Sequence, residues 1–104
     1  MSVATIAGHQ LHVDGEGFLT EYDEWDEALA DELAARIGIT LTDRHRAAIR
    51  FLRNDFPARG ETATLRRVAV VGGIPVKELF ELFGAKPAKK MAYIAGLPKP
   101  RGCV

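Results

Sequence analysis

Cysteine is almost absent from this chain of 104 residues, since Cys103 is the only one. A single thiol excludes an internal disulfide framework, and an unpaired cysteine is typical of a reducing compartment. Long apolar runs are absent too, because stretches such as residues 68–71 are far too short to cross a bilayer. The N-terminus also lacks the basic-then-apolar order of a secretion signal. We therefore expect a soluble cytoplasmic protein with no membrane partner.

Net charge is absent as well, because 14 Lys and Arg balance 14 Asp and Glu, yet the two signs are segregated. Residues 1–43 contain ten acidic residues and one basic residue, Arg36, whereas residues 44–104 contain thirteen basic and four acidic residues. Either the two halves attract each other within one fold, or the basic half faces an acidic partner. The sequence leaves both explanations open.

Apolar residues, in contrast, are plentiful: 47% of the chain is hydrophobic. A chain of this length buries roughly two-thirds of its unfolded surface in one domain. Internal repeats and low-complexity tracts are missing, so nothing divides the chain. We predict a single domain over residues 1–104, with a globular body over 1–95 and a mobile C-terminal arm over 96–104.

Secondary-structure signals predict a β-hairpin followed by about five helices. Two β-favouring runs, residues 3–7 and 10–13, flank a turn at Gly8-His9. Caps, prolines and apolar spacing mark the helices. The predicted helices start at Asp26, Thr42, Thr62, Pro75 and Pro87, and they stop at Gly38, at Pro57 with Gly60, at Gly72, at Gly84 and at Ala95. The predicted fold class is therefore α+β and mainly helical, with the hairpin packed on the helices.

The second predicted helix has two distinct faces. His45 and Ile49 belong to an apolar stripe, in which a histidine is more often a packing residue than a catalyst. Arg46, Arg50 and Arg53 share another face. Arg50 and Arg53 on that face are either part of a basic docking surface or part of an ordinary solvated helix face, and the residues alone do not decide.

The C-terminal segment places the thiol at the end of a stiff strut. Pro98 and Pro100 restrict their own backbone and that of the preceding residues, so residues 96–104 favour an extended arm ending in flexible Gly102. Undocked, such an arm spans on the order of 25 Å. Cys103 is the candidate nucleophile at its tip. A passive cysteine on a frayed chain end is the alternative.

The last residues resemble the C-terminus of the DsrC/TusE family of sulfur-relay proteins. That family ends in I-A-G-L-P-K-P, two variable residues, a cysteine and one aliphatic residue, and residues 94–104 here read IAGLPKPRGCV. Residues 14–19, Trp25 and residues 49–53 also agree with the family, so the resemblance covers nearly the whole chain.

The resemblance implies a sulfurtransferase-type carrier in which Cys103 accepts sulfane sulfur as a persulfide. An upstream donor protein would supply the sulfur and a downstream acceptor enzyme would take it, in a relay such as tRNA 2-thiouridine synthesis or in sulfur metabolism. Neither a cofactor nor a metal is implied. The resemblance implies that Lys99 and Arg101 help the arm to enter partner clefts and that Pro98, Pro100 and Gly102 set its shape. Gly96, at the start of the arm, and Arg50 and Arg53, with their two alternatives, complete the candidate arm and docking residues.

Two departures from the family pattern narrow this expectation. Family members that work with dissimilatory sulfite reductase carry a second cysteine ten positions before the penultimate one, and this chain has Tyr93 there. The chain therefore resembles the single-cysteine, TusE-like branch. The connection between Val70 and Glu78 is also shorter than in relatives, so surfaces formed there are not carried over.

Two other functions stay open. The chain could be a partner or gamma-subunit-like protein of a dissimilatory sulfite reductase-type system, in which the arm docks without carrying sulfur. The third and fourth helices, joined by Gly72-Gly73-Ile74, also resemble the helix-turn-helix of a DNA-binding regulator. Lys77 would then face phosphates beside Glu78 and Glu81, and this net negative charge makes a direct nucleic-acid partner an unfavourable prediction.

Overall fold

A β-hairpin followed by five helices makes up the part of the chain that the structure, a computed structural model, describes: residues 2–6 and 8–100. The elements in chain order are β1 (Ser2–Ile6), β2 (His9–Val13), a 3-10 turn (Tyr22–Glu24), α1 (Glu27–Arg36), α2 (Asp43–Arg59), α3 (Leu65–Val70), α4 (Val76–Phe83) and α5 (Pro87–Ile94). The predicted α+β, mainly helical fold class is confirmed.

The hairpin is antiparallel and pairs Ser2 with Val13 and Ile6 with His9. Its alternation buries Leu11 and Val13 against the helices and leaves the intervening His12 exposed, as expected for a strand with one wet face. The predicted turn at Gly8 is confirmed, and Gly8 has the positive φ of +80° that favours glycine. The predicted last residue of the first strand, Ala7, lies outside the described residues.

Side-chain caps start α1 and α2 where the sequence predicts them. Asp26 accepts a hydrogen bond from the backbone N–H of Leu29 at 2.8 Å. Thr42 forms a capping box with His45, whose Nδ1 accepts from the backbone N–H of Thr42 at 3.0 Å. The other ring nitrogen, Nε2, donates to the carbonyl of Leu82 at 2.7 Å, which ties α2 to α4. His45 is therefore a buried packing residue, as predicted.

Pro57 does not end α2, which corrects the prediction. The helix continues to Arg59 and stops at Gly60, whose φ of +72° is the left-handed conformation typical of helix ends. A proline inside a helix removes the hydrogen bond to the carbonyl four residues earlier, here that of Arg53. The hydroxyl of Tyr22 donates to this carbonyl at 2.8 Å and replaces the missing bond.

The third helix starts two residues later than predicted, because Thr64 and not Thr62 is its cap. The Thr64 hydroxyl accepts from the backbone N–H of Arg67 at 3.2 Å. Thr62 is buried and its hydroxyl bonds elsewhere, to the C-terminal segment. Thr64 directly precedes the first helical residue, Leu65, and this is the position from which a hydroxyl accepts from the N–H of the second or third helical residue.

Two apolar clusters form the core, and α5 packs between α1, α2 and α4. The smaller cluster joins the hairpin to α1 through residues such as Ile6, Leu11 and Leu33. The larger cluster joins the helices, with Leu52, Val68, Leu79, Met91 and Leu97 among its fully buried members. Trp25 and Tyr93 border both clusters. The C-terminal end of α5 therefore emerges where the two halves of the core meet.

Ion pairs connect the acidic first half to the basic second half. Arg46 on α2 lies 2.7 Å from Asp31 and 3.2 Å from Glu27, both on α1. Lys99 lies 3.1 Å from Glu16. Attraction between the two halves within one fold is therefore real, although each of these pairs is partly exposed and contributes little to stability.

Candidate functional site at the root of the C-terminal segment

The described chain ends at Pro100, so the predicted nucleophile Cys103 and its neighbours Arg101 and Gly102 lie outside the described residues. The structure does describe how residues 96–100 are held. These five residues, called the root segment below, lie on the body, and the mobility of residues 96–104 stays a prediction. Leu97 is 1% exposed and Pro100 is buried, whereas Pro98 and Lys99 face solvent.

Arg53 anchors the chain just ahead of the root segment. Its Nη1 donates to the carbonyl of Ala95 at 3.0 Å, and its Nη2 donates to the carbonyl of Tyr22 at 2.9 Å. The guanidinium carbon lies 3.8 Å from the ring centre of Tyr22 and 4.3 Å from that of Trp25. Two aromatic faces and two carbonyls therefore take the place of water around this cation.

Arg53 is largely covered by its neighbours, and its role in partner docking stays a prediction. Arg53 is 9% exposed, and no carboxylate of the described residues pairs with it. Burial lowers the pKa of the Arg53 guanidinium, and the nearby Tyr22 and Asp23 partly offset this decrease. An arginine remains charged despite such a shift, so Arg53 works as a buried cationic clamp.

Trp25 and Gly96 form the second contact at the root segment. The indole N–H of Trp25 donates to the carbonyl of Ile94 at 2.8 Å. Gly96 has a φ of +69°, and a Cβ at this position would lie 2.6 Å from Cδ1 of Trp25. Only glycine suits both the left-handed backbone and the close approach of the indole.

Thr62 and Glu16 hold the root segment further along. The hydroxyl of Thr62 donates to the carbonyl of Pro98 at 2.7 Å. The ammonium of Lys99 donates to Glu16 at 3.2 Å, across a solvent-exposed gap. One buried and one exposed contact thus fix the direction in which the chain leaves the body.

Arg50, the other arginine predicted for docking, lies on the solvent side of α2. Its side chain is 61% exposed, and its Nε lies 3.7 Å from a carboxylate oxygen of Glu27. Arg50 does not contact the root segment through any hydrogen bond of the described residues. The structure thus separates Arg50 from Arg53, which the sequence had placed on one face.

A cavity of about 320 Å³ is lined by Thr62, whose hydroxyl bonds Pro98 of the root segment. Arg59 and Arg66 line it together with Arg67, which is paired with Asp55 through two hydrogen bonds of 2.9 and 2.7 Å. We call it the arginine cavity. The exposed Val70 and Val71 form its rim, in the connection that the sequence marks as unusually short.

Among residues 2–6 and 8–100, no three His, Cys, Asp or Glu side chains are placed to share a metal ion. His9 and His12 do not form a metal site together, and Nδ1 of His12 lies 2.7 Å from Oε2 of Glu24. The backbone N–H of His12 also donates to Glu24, and these contacts lower the pKa of that carboxyl.

Comparison with known proteins places the chain in a family. The family model described as "DsrC like protein" matches residues 5–104. The chain belongs to the DsrC-like family. The resemblance on which the sequence analysis rested is thereby confirmed, over nearly the full length.

Two relatives illustrate the range of the family. The sulfurtransferase TusE of Sodalis glossinidius is 36% identical over 93% of this chain and 96% of its own length. The gamma subunit of dissimilatory-type sulfite reductase of Nitratidesulfovibrio vulgaris strain Hildenborough is 33% identical over all of both chains.

Solved structures agree with the fold. A chain from the crystal structure of dissimilatory sulfite reductase I superposes with a TM-score of 0.83 at 35% identity, over 99% of this chain and 100% of that chain. The oxidized gamma subunit (DsrC) of the Archaeoglobus fulgidus enzyme superposes with a TM-score of 0.76 at 36% identity, with the same coverage.

Tyr93 occupies the position at which the sequence analysis expects a second cysteine in the two-cysteine branch. It is half-buried on α5, and its ring meets Phe18 edge-on with ring centres 5.9 Å apart. Tyr93 therefore fills this place as a packing residue that joins α5 to the loop after β2.

Sequence reasoning missed three residues of the site: Tyr22, Trp25 as a hydrogen-bond donor, and Thr62. One signal was available, because Pro57 leaves the carbonyl of Arg53 without its helical partner and so calls for a donor. The sequence does not say that this donor is Tyr22, which lies 31 positions earlier.

Proposed function

We propose that this chain carries sulfane sulfur as a persulfide on Cys103 and passes it to a partner in a sulfur relay. A sulfur-relay role is what the TusE and sulfite reductase gamma-subunit relatives support. The observation that carries the finer proposal is the anchored root segment: Arg53, Trp25 and Thr62 hold residues 94–98 to the body. Cys103 follows three positions after Pro100.

The chemistry needs one nucleophile and no net redox change. The thiolate of Cys103 attacks the outer sulfur of a donor persulfide, the donor's S–S bond breaks, and the donor leaves as a thiolate. The product is Cys103-S-SH. An acceptor thiolate then attacks the outer sulfur of this persulfide, so that the Cys103 thiolate is released and the sulfur has moved by one exchange.

Anchoring of the root segment shortens the reach available to Cys103. Three residues beyond Pro100 extend at most about 10 Å, compared with on the order of 25 Å for the whole nine-residue segment. The sulfur donor and the sulfur acceptor must therefore contact the globular body of this chain. Roles for Pro98, Lys99, Pro100, Arg101 and Gly102 in such contacts belong to this proposal.

A mass measurement tests the persulfide. The protein is incubated with a persulfide donor, such as glutathione persulfide or a sulfur-loaded cysteine desulfurase, and its intact mass is recorded with and without a reductant. We expect a gain of one sulfur atom that the reductant removes. The Cys103→Ser variant should gain none, and an unchanged mass of the wild-type chain with both donors would refute the proposal.

A docking role in a sulfite reductase-type assembly is the second candidate, because one relative is a gamma subunit of that enzyme. Tyr93 argues against the two-cysteine chemistry of that branch, since the chain has no second thiol. Binding to such an enzyme that survives Cys103→Ser, together with no sulfur uptake, would favour docking over carriage.

DNA binding finds less support in the geometry of α4. Glu78 is held by Arg44 through hydrogen bonds of 2.7 and 2.8 Å, and Glu81 and Phe80 are exposed on the same helix. A recognition helix with carboxylates and an exposed aromatic ring suits a phosphate backbone poorly.

The partners and the location are predictions that follow from the proposed relay. The donor and the acceptor are expected to be proteins, and the cytoplasm is the expected compartment for a free thiol. No helix within the described ranges is long and apolar enough to span a membrane.

A further inference from the structure

A second cavity, of about 460 Å³, lies between the loop after β2 and α5. Its apolar lining, called the floor below, consists of Phe18, Tyr93 and Ile37, the residue that follows α1. Lys86, Lys89 and Lys90 also line it and are called its rim below. We call this cavity the lysine groove.

The three lysines of the groove are not neutralised by the rest of the described chain. None of them lies within 4.0 Å of a carboxylate oxygen of residues 2–6 and 8–100, where six other basic residues do form ion pairs. Glu16 also lines the groove, but Lys99 engages its carboxylate at 3.1 Å. The groove therefore presents a net positive rim around an apolar floor.

Lys86 has an unusual backbone for a lysine. Its φ of 54° and ψ of 55° are left-handed, and among the described residues other than glycine it alone has a positive φ. The following residue, Pro87, disfavours the right-handed helical region at this position. Glycine or asparagine is the usual solution, so a lysine held there is a strained choice of the kind that marks functional surfaces.

The groove is continuous with the root segment. Glu16 belongs to the groove and to the ion pair with Lys99, and Tyr93 lies on the last turn of α5, three residues before Gly96. A protein that contacts the body at Lys99 would therefore lie next to this groove.

We propose that the lysine groove is the docking surface for an acidic segment of the relay partner, with one aromatic or aliphatic side chain seated on the Phe18–Tyr93 floor. This inference rests on the proposed function and adds the chemistry of the partner to it. A concave apolar centre with a charged rim is the anatomy of a protein interface. The rim has no arginine for bidentate phosphate contacts, and the mainly apolar floor suits a nonpolar side chain, so a protein fits better than a nucleic acid.

Charge-reversal variants test the groove against a matched lysine elsewhere. The full chain, labelled with ¹⁵N, is titrated at low salt with a random glutamate–tyrosine copolymer, and separately with bulk tRNA. We expect the copolymer to shift the amide signals of residues 86–93 and 16–18, and to bind about tenfold more weakly to the Lys89→Glu/Lys90→Glu variant. The single variants Lys89→Glu and Lys77→Glu change the charge equally, in the groove and on exposed α4 respectively; Lys89→Glu should weaken binding, whereas Lys77→Glu should bind within about twofold of wild type.

Three results would overturn the inference: signals that shift at Arg59 and Arg66 of the arginine cavity instead, equal weakening by Lys77→Glu, or tighter binding of tRNA than of copolymer at the groove. The milder Lys89→Gln/Lys90→Gln variant repeats the test if charge reversal unfolds the chain. Uptake of sulfur from glutathione persulfide should be unchanged in both groove variants. Copolymer binding without any sulfur uptake would support the groove while refuting the persulfide proposal.

Discussion

Arg50 and Arg53 lie one helical turn apart on α2 and yet occupy opposite environments. Arg53 is buried between two aromatic rings and donates to backbone carbonyls, whereas the Arg50 side chain is 61% exposed and lies 3.7 Å from Glu27. Positions three apart differ by about 60° around a helix, so spacing places both on one face. The neighbours that cover the face, not its spacing, decide whether an arginine is a clamp or a solvated surface charge.

The strongest test of this difference replaces each arginine by methionine, which keeps most of the side-chain volume. Arg53→Met leaves the carbonyls of Ala95 and Tyr22 without donors, and we expect it to lower the free energy of unfolding by roughly 3 kcal/mol. Arg50→Met removes only an exposed charge and should change it by less than about 0.5 kcal/mol. Urea denaturation followed by circular dichroism measures both, and equal losses would contradict the distinction.

Substitution of Gly96 tests how closely Trp25 packs against the root segment. Gly96→Ala combines the strain of a left-handed backbone with a Cβ that would meet the Trp25 ring at 2.6 Å, so we expect a loss of about 2 kcal/mol or more. Gly60→Ala is the matched control, because Gly60 has a similar φ of +72° and no atom within 4 Å of its would-be Cβ. Gly60→Ala should lower the free energy of unfolding by about 1 kcal/mol. An equal loss at both sites would mean that the Trp25 side chain moves to accommodate the new methyl group.

Thr62 tests whether the Pro98 contact holds the root segment. Thr62→Val removes one hydrogen bond, and we expect a loss of about 1 kcal/mol with faster amide hydrogen exchange at Leu97, whose N–H donates to Ala92 at 3.0 Å. The control Thr64→Val removes the α3 cap and should speed exchange at Arg67 instead. Unchanged exchange at Leu97 in Thr62→Val would show that the hydroxyl is dispensable.

Arg67 is more exposed than Arg53 and less exposed than Arg50. Its ion pair with Asp55 gives the smallest expected effect on the free energy of unfolding, and this effect depends on pH. The hydrogen bonds from Arg67 lower the pKa of Asp55 below its ordinary value of 3.8. The stabilisation is therefore fully present above that ordinary value, which applies to the unfolded chain, and is lost as the pH falls through the lower folded-state pKa.

The Asp55→Asn variant should accordingly lose its stability difference from wild type as the pH is lowered from about 4. Urea midpoints measured between neutral and acid pH follow this convergence. A difference that stays constant down to the lowest pH would mean that the carboxylate charge of Asp55 contributes nothing.

Local signals predicted much of the fold because they act over a few residues. Asp26 and Thr42 cap helices where the sequence indicates them, and the hairpin turns at Gly8. Pro57 and Thr62 were misassigned for one reason: each has a distant partner that satisfies it differently. A proline is tolerated within a helix when another donor, here Tyr22, bonds the free carbonyl.

Some residues of the candidate site were likewise identified from the sequence, and others only from the structure. Cys103 and the motif around Gly96 were identified from the sequence through the family resemblance, and the family is confirmed. The clamp and the lysine groove were not, since Arg53 meets Ala95 across 42 positions and Phe18 meets Tyr93 across 75. Charge segregation pointed only to attraction or to an acidic partner, and the structure shows pairs across the halves together with three unpaired lysines on the described surface.

By itself, the sequence determined the caps of α1 and α2, the hairpin, the family and the single thiol, because these caps, turns and motifs are written in contiguous residues. Only the tertiary structure decided which arginine is buried and which residues hold the chain as far as Pro100. Those outcomes depend on carbonyls and aromatic rings that approach from distant positions, and the free energy of burying a charge is set by what surrounds it in space.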